Sequence, residues 1–249
     1  SRLSRGLGDV YKRQTDENAP KMDFCDTVQS MGALKDLFSS SVAIAETRNT
    51  NIDAAFLSPA ERTYLENVSQ NRKREFIAGR FCAHEAMMLA SMPPENIHIG
   101  GKGEPIWPSN IVGSITHSHG YAAAAVARKS DIISVGLDAE IDEPLSSKAL
   151  QRISNHQEEE WAKTVGGALV QHPGKVLFSA KEATYKAWYP LTHEWLGFKE
   201  ALIDFHDQGN TFTVRILKNG PIREMHGKFT IRNDVIVTAI EIPSRQSGT

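Results

Sequence analysis

Cysteine is nearly missing from this sequence. Cys25 and Cys82 are the only two in 249 residues, too few for a disulfide framework or a self-contained zinc site and in keeping with a reducing compartment. Charge of one sign is missing as well, since 28 Lys and Arg stand against 30 Asp and Glu for a formal net charge of -2. That balance gives no general pull toward nucleic acid or anionic lipid, so any polyanion site has to be a local patch. No apolar run is long enough to span a bilayer. The start lacks the secretory-signal pattern of a basic beginning followed by an apolar core and a small-residue cleavage site. The expectation is a soluble, cytoplasmic protein without a transmembrane segment.

What is present is ordinary globular composition, 40% hydrophobic and 23% charged, enough for one large domain or two small ones. Residues 1–14, SRLSRGLGDVYKRQ, are basic and aperiodic. They read as translated cloning or adapter sequence, a non-native leader set aside from the fold. Ser58-Pro59-Ala60-Glu61 is a capping box with proline at the first helical position, so a helix begins there and runs to about Val68. A longer helix follows over about residues 72–90, where Phe76, Gly79, Ala83, Met87 and Ala90 recur at three-or-four spacing before Pro93-Pro94. Arg80 lies beside that stripe, where a long side chain can leave the core.

Strands are expected over residues 111–116, 121–127 and 132–137, with His117-Ser118-His119-Gly120 as the turn between the first two. The alanines of the second strand call for something packed closely over it. Helices over about 157–165 and 176–189 come next, the second ending before Pro190. Strands over 201–205, 211–217, 228–232 and 235–242 follow, with turns at Gly209-Asn210 and Asn233-Asp234. The order helix, strands, helix, strands implies an α+β fold of two similar lobes, residues 22–131 and 132–243.

Asp138 and Glu140, one residue apart on a strand end, point to one face. Two carboxylates side by side are costly unless a cation lies between them, and Mg²⁺ takes such oxygen ligands together with substrate phosphates. Glu182 and Lys186 are one helical turn apart, spaced for a surface ion pair or for joint action on a ligand. A helix bringing Lys181, Glu182 and Lys186 beside Asp138 and Glu140 would offer three acids to a metal and two ammonium groups to a phosphate. Phosphoryl transfer requires that combination. His117 and His119 share a parity too, yet without a third ligand nearby zinc is the weaker reading, and His117 could instead donate to a phosphate beside Arg80.

The segments GRFCAHEA, EPIWP, GSITHSHGYAAAAVA, SVGLDAE and FSAKEATYKA occur in that order. Over about residues 60–188 they resemble the 4′-phosphopantetheinyl transferase superfamily, of the larger surfactin-synthetase-activating type, and most closely the branch that includes the enterobactin-synthase component D proteins. The resemblance implies a pseudo-dimer of two α+β lobes with coenzyme A between them. It implies transfer of the 4′-phosphopantetheine arm of coenzyme A to a serine of an acyl, peptidyl or aryl carrier protein, with adenosine 3′,5′-bisphosphate released, in siderophore or other non-ribosomal peptide or polyketide synthesis. Carried over by residue, Asp138, Glu140 and Glu182 are implied Mg²⁺ ligands, and Lys186 and its neighbour Lys181 contact coenzyme A phosphate. Arg80 and His117 hold the nucleotide's 3′-phosphate and nearby groups. Glu182 is the implied base for the carrier serine, directly or through water. Where some members carry a basic residue before the loop proline, this chain has Glu104 before Pro105, which leaves that contact to Lys102 or loses it.

A fused pseudo-dimer supplies its own interface, so a monomer is expected. The rival readings are a Mg²⁺-dependent nuclease or phosphodiesterase, disfavoured by the lack of a basic, aromatic-interleaved surface for nucleic acid, and a non-catalytic coenzyme A-binding module.

Overall fold

The computed structural model describes residues 34–49, 51–164, 170–206 and 210–244. The expected leader at 1–14, Cys25, the helix end at Val165 and the turn residue Gly209 lie outside them. Five α-helices are described, labelled α1 (Pro59–Leu65), α2 (Gln70–Leu89), α3 (Ser147–Ile153), α4 (His156–Lys163) and α5 (Pro173–Thr192). The strands are β1 (Val42–Thr47), β2 (His98–Ile99), β3 (Pro105–Ile106), β4 (Ile111–Ser118), β5 (Tyr121–Arg128), β6 (Ile132–Ile141), β7 (Ala201–Phe205), β8 (Thr211–Ile216), β9 (Glu224–Arg232) and β10 (Val235–Pro243).

Local chemistry sets the helix starts. Ser58 and Glu61 exchange the two hydrogen bonds of a capping box, and Asn155 and Glu158 do the same for α4, satisfying backbone donors that the first turn leaves free. Ser69 accepts from the Arg72 amide and opens α2. Pro190 does not end α5, which runs on to Thr192. It falls within the last turn, where only one backbone hydrogen bond is forfeited, and His193 closes the helix in a left-handed conformation at φ 54°.

A three-stranded sheet, β1-β5-β4, and a five-stranded one, β6-β10-β9-β8-β7, carry the architecture, with β2 and β3 as a small separate hairpin. The layers run helix, sheet, sheet, helix. One core joins α2 to Ala122, Ala124 and Val126 of β5. A second lies between the sheets, where Ala123, Ala125 and Ala127 meet Val135, Leu137 and Ala139 of β6 and Val235, Val237 and Ala239 of β10. The third joins α5 to the outer face of the five-stranded sheet. The alanine strand therefore has a close neighbour on both faces, which is why its side chains are small.

The two sheets repeat one plan: β1-β5-β4 around α2 matches β6-β10-β9 around α5. Both hairpins turn on two residues with positive φ, His119-Gly120 and Asn233-Asp234, the conformation of a tight turn matched to strand twist. His117 and Ser118 thus belong to β4 rather than to the turn. Asp138 pairs with Thr238, the fourth residue of β10, as Ala45 pairs with Ala124, the fourth of β5. Glu140 opposite Ile236 corresponds in the same way to Thr47 opposite Ala122.

Candidate active site

β6 runs through to Ile141, so Asp138 and Glu140 stand inside a strand. Its period-two alternation sends Leu137 and Ala139 into the core between the sheets and turns the two acids toward α5. The free edge of β6 meets β4 of the other lobe through hydroxyls rather than a backbone ladder. The Leu137 amide donates to Ser114 Oγ at 3.0 Å and the Ala139 amide donates to Thr116 Oγ1 at 2.9 Å. Two threading hydroxyls thereby satisfy backbone donors on either side of Asp138 and bring the end of β4, with His117, to the same place.

Asp138 is buried. Its Oδ1 accepts from Lys186 Nζ at 2.8 Å and its Oδ2 from Ser179 Oγ at 2.9 Å, while Lys186 also donates to Leu137 O at 3.0 Å. Glu140 Oε2 lies 3.5 Å from Lys175 Nζ. Burial first, and Asp138 after it, push the Glu140 carboxyl up, against Lys175 and Lys186. Glu182 is raised in the same way by burial and by Asp138, with Lys186 opposing and Glu140 adding. Asp138 thus acts on both glutamates, and among the described residues Asp138 and Glu140 have lysines as direct partners, Lys186 and Lys175.

Among the described residues no group of three or more His, Cys, Asp or Glu is gathered as a metal site. The donor set nevertheless fits a hard divalent cation: three carboxylates, two of them held above their ordinary range by burial and by the third, are the unrelieved charge that such an ion neutralises.

The other sequence-derived residues divide. His117 joins the acids, its imidazole drawn down by burial and feeling both Lys186 and Asp138. Its immediate neighbour is a residue the sequence reading passed over. Arg72 Nη1 lies 2.7 Å from His117 Nε2 and 3.5 Å from Glu75 Oε2. A signal was there: the first turn of α2 carries no acid and leads into Arg72, Lys73 and Arg74, a cation cluster on the wrong end of the helix dipole unless it faces an anion.

Arg80 was expected to leave the core, and it does not. It is 5% exposed, with Nε 3.5 Å from Glu61 Oε1, Nη2 donating to Ile97 O at 3.2 Å and its guanidinium over the Phe76 ring. Burial brings it down to about 10, against the upward pull of Glu61. Lys181 is likewise not brought to the acids. It turns inward to Glu158 Oε1 at 2.6 Å and to the carbonyls of Phe198 and Ala201.

Beside Lys186 a cavity of about 590 Å³ opens between the lobes, lined by Trp107, Ile133, Tyr185 and Tyr189 among others, within the size range of cofactor sites. Gly113 is required at its wall, because a Cβ there would come within 2.7 Å of the Trp107 ring and 2.8 Å of Ala125 O. At its rim Lys102 Nζ sits 5.1 Å over the Tyr189 ring, and Glu104 accepts from the Lys102 amide at 2.8 Å and from the Tyr189 hydroxyl at 3.4 Å. Glu104 thus ties the β2–β3 loop to α5.

A group of acids joined through Lys186 to an interlobe cavity suits phosphate chemistry, and comparison with known sequences gives its class. The 4′-phosphopantetheinyl transferase N-terminal domain matches residues 60–127 and the 4′-phosphopantetheinyl transferase superfamily domain matches residues 134–240. The chain is 43% identical over 196 residues to 4′-phosphopantetheinyl transferase Npt of Nocardia iowensis, covering 73% of this chain and 87% of that one. It is 39% identical over 193 residues to PptT of Mycobacterium tuberculosis, covering 73% and 84%. Enterobactin synthase component D of Salmonella austin is 31% identical over 127 residues, about half of each chain. The chain belongs to the 4′-phosphopantetheinyl transferase superfamily, and it is a transferase of the phosphopantetheine arm.

Proposed function

We propose that the chain transfers the 4′-phosphopantetheine arm of coenzyme A to a serine hydroxyl of an acyl, peptidyl or aryl carrier protein, with Mg²⁺, leaving adenosine 3′,5′-bisphosphate. The observation that carries this reading is Lys186, which lines the interlobe cavity of about 590 Å³ and bonds Asp138, whose charge in turn raises Glu140 and Glu182. Asp138, Glu140 and Glu182 hold the metal, which when bound supplies charge neutralisation to the pyrophosphate. Lys186, bonded to Asp138 at the cavity wall, presents its ammonium to a phosphate oxygen. His117 and Arg72 receive nucleotide phosphate from the opposite lobe, as two donors on one anion. The apolar and aromatic cavity wall takes the pantetheine arm.

Glu182 accepts the serine proton, directly or through a water, as the serine oxygen bonds to phosphorus and the bond to the departing bisphosphate breaks. Its place beside Asp138 is what fits Glu182 to that role. Arg80 and Lys181, each turned inward onto a buried glutamate, are left out of this reading. The enterobactin synthase relatives favour a role in siderophore or other non-ribosomal peptide synthesis. The same reading makes the protein a cytoplasmic monomer, since its own two lobes supply both walls of the site. No described helix is long and apolar enough to cross a membrane.

The test is intact-mass analysis of a panel of apo carrier proteins incubated with the protein, coenzyme A and Mg²⁺. Addition of one phosphopantetheine, abolished by chelating the metal and restored by adding it back, is the expected result. Unmodified carriers alongside tight coenzyme A binding would overturn turnover in favour of a binding module.

A further inference from the structure

Lys181 and Glu158 form an ion pair with side-chain exposures of 1% and 2%, a costly arrangement in a protein interior unless every donor is met. Here they are met. Lys181 Nζ has Glu158 Oε1 at 2.6 Å, Phe198 O at 2.8 Å and the carbonyl of Ala201. Glu158 Oε1 also accepts from the Ile203 amide at 2.7 Å, and Oε2 from the Asn155 amide at 2.9 Å. One carboxylate thus joins the start of α4, the edge strand β7 and the middle of α5.

At β6 the α5 interface is Ala183 and Ala187 over Gly136, small surfaces that allow close approach but interlock little. Val176, Leu177 and Trp188 bury the helix elsewhere, but apolar contact is non-directional, so the Glu158–Lys181 pair adds to the Ser179–Asp138 bond a second directional tie on α5. On the helix, Glu182 lies about 100° and Lys186 about 140° round from Lys181, so both share a side set by where Lys181 is pinned. A rotation of about 10° moves an atom roughly 6 Å from the axis by about 1 Å, a misplacement on the scale of about 10²-fold in rate.

Resting on the proposed function, we propose that the Glu158–Lys181 pair is a positioning device for catalysis: it locks α5 in the rotation that aims Glu182 and Lys186 into the cleft. Neither residue touches substrate. The pair acts through the helix alone.

The experiment measures Mn²⁺ binding to the full chain, by the loss of the free-ion electron paramagnetic resonance signal, together with Tm, kcat and the KM for coenzyme A. Lys181→Met leaves a buried carboxylate unpaired and lowers Tm. The neutral double variant Glu158→Gln/Lys181→Met removes that charge and recovers much of the loss. The proposal expects the double variant to bind Mn²⁺ about tenfold more weakly and to lose about 10- to 100-fold in kcat, with KM for coenzyme A changed less than about threefold. Recovery of Mn²⁺ affinity and kcat in step with Tm would make the pair merely structural and overturn the proposal. A rise in KM with kcat retained would restore Lys181 to coenzyme A contact and overturn it equally. Glu158→Asp, which keeps the charge and shortens the reach, guards against a double variant that does not fold; unchanged Mn²⁺ affinity there also sinks the idea. If the unaltered chain takes up no Mn²⁺, the metal reading fails along with this one, an outcome distinct from a variant that binds as well as its parent.

Discussion

Glu182 and Lys181 are adjacent in sequence and opposite in fate. Spacing alone placed Glu182, Lys186, Asp138 and Glu140 on faces that could converge, because strand and helix periods are local properties. It could not tell where Lys181 or Arg80 would turn. Their partners, Glu158 and Glu61, lie 23 and 19 residues away and become neighbours only when the layers stack. At this scale Glu182→Gln, an isosteric change, is expected to reduce kcat by about 10²- to 10³-fold with Tm unchanged, read by carrier mass and thermal denaturation on the same sample.

Glu61 gives a second residue-scale expectation. Burial alone would raise its carboxyl, but hydrogen bonds and charge from His84, with Ser58 behind them, hold it below its ordinary 4.5. A carboxyl lowered in the folded state contributes stability above its unfolded value and loses it as pH falls through the folded one. The stability difference between the parent and Glu61→Gln should therefore be constant near neutrality and shrink below about pH 4.5. Chemical denaturation at several pH values measures it.

Among the elements, the seam between β4 and β6 matters most. Ser114→Ala and Thr116→Val each strip the acceptor from one buried β6 amide, at about 1–3 kcal/mol apiece. Both should also lower transfer, since they flank Asp138 across the lobes; urea denaturation and initial rates report the two effects separately. Gly136→Ala is the complementary test on the other face. Its added carbon would run into the carbonyl oxygen of Ala183, forcing α5 off β6 at about 1–3 kcal/mol or more, visible as a lower denaturation midpoint.

Element boundaries show where pattern reading works and where it gives out. The capping box at Ser58 and the β9–β10 turn are readable from side-chain chemistry close in sequence, whereas α2 starts at Gln70 behind its Ser69 cap rather than at about residue 72. β1, six residues without strict alternation, gives no strand signal, and neither does α3 give a helix signal, its seven residues holding one buried side chain, Ile153. Both owe their form to what covers them. Proline at 190 suggested a stop, yet tertiary contacts on the last turn of α5 outweigh a single lost hydrogen bond.

At the scale of the whole molecule, function depends on two lobes meeting along one seam, so neither lobe is expected to work alone. The core between the sheets draws on β1 and β5 from one lobe and β6 and β10 from the other, and that shared core should make unfolding one transition. Fluorescence of Trp107 and of Trp188, each isolated by replacing the remaining tryptophans with phenylalanine, should report the same urea midpoint. Two separated midpoints would show that the lobes are independent.

The repeated plan has one more consequence. Register sets Ala45 and Thr47 where the second lobe has Asp138 and Glu140. If the chain descends from a doubled gene, one copy of the ancestral edge has kept its acids and the other has been released from chemistry. Mutation can then wander along β1 with only packing and local hydrogen bonds to satisfy, while β6 is held still. The history of the molecule is written as an imbalance between twins.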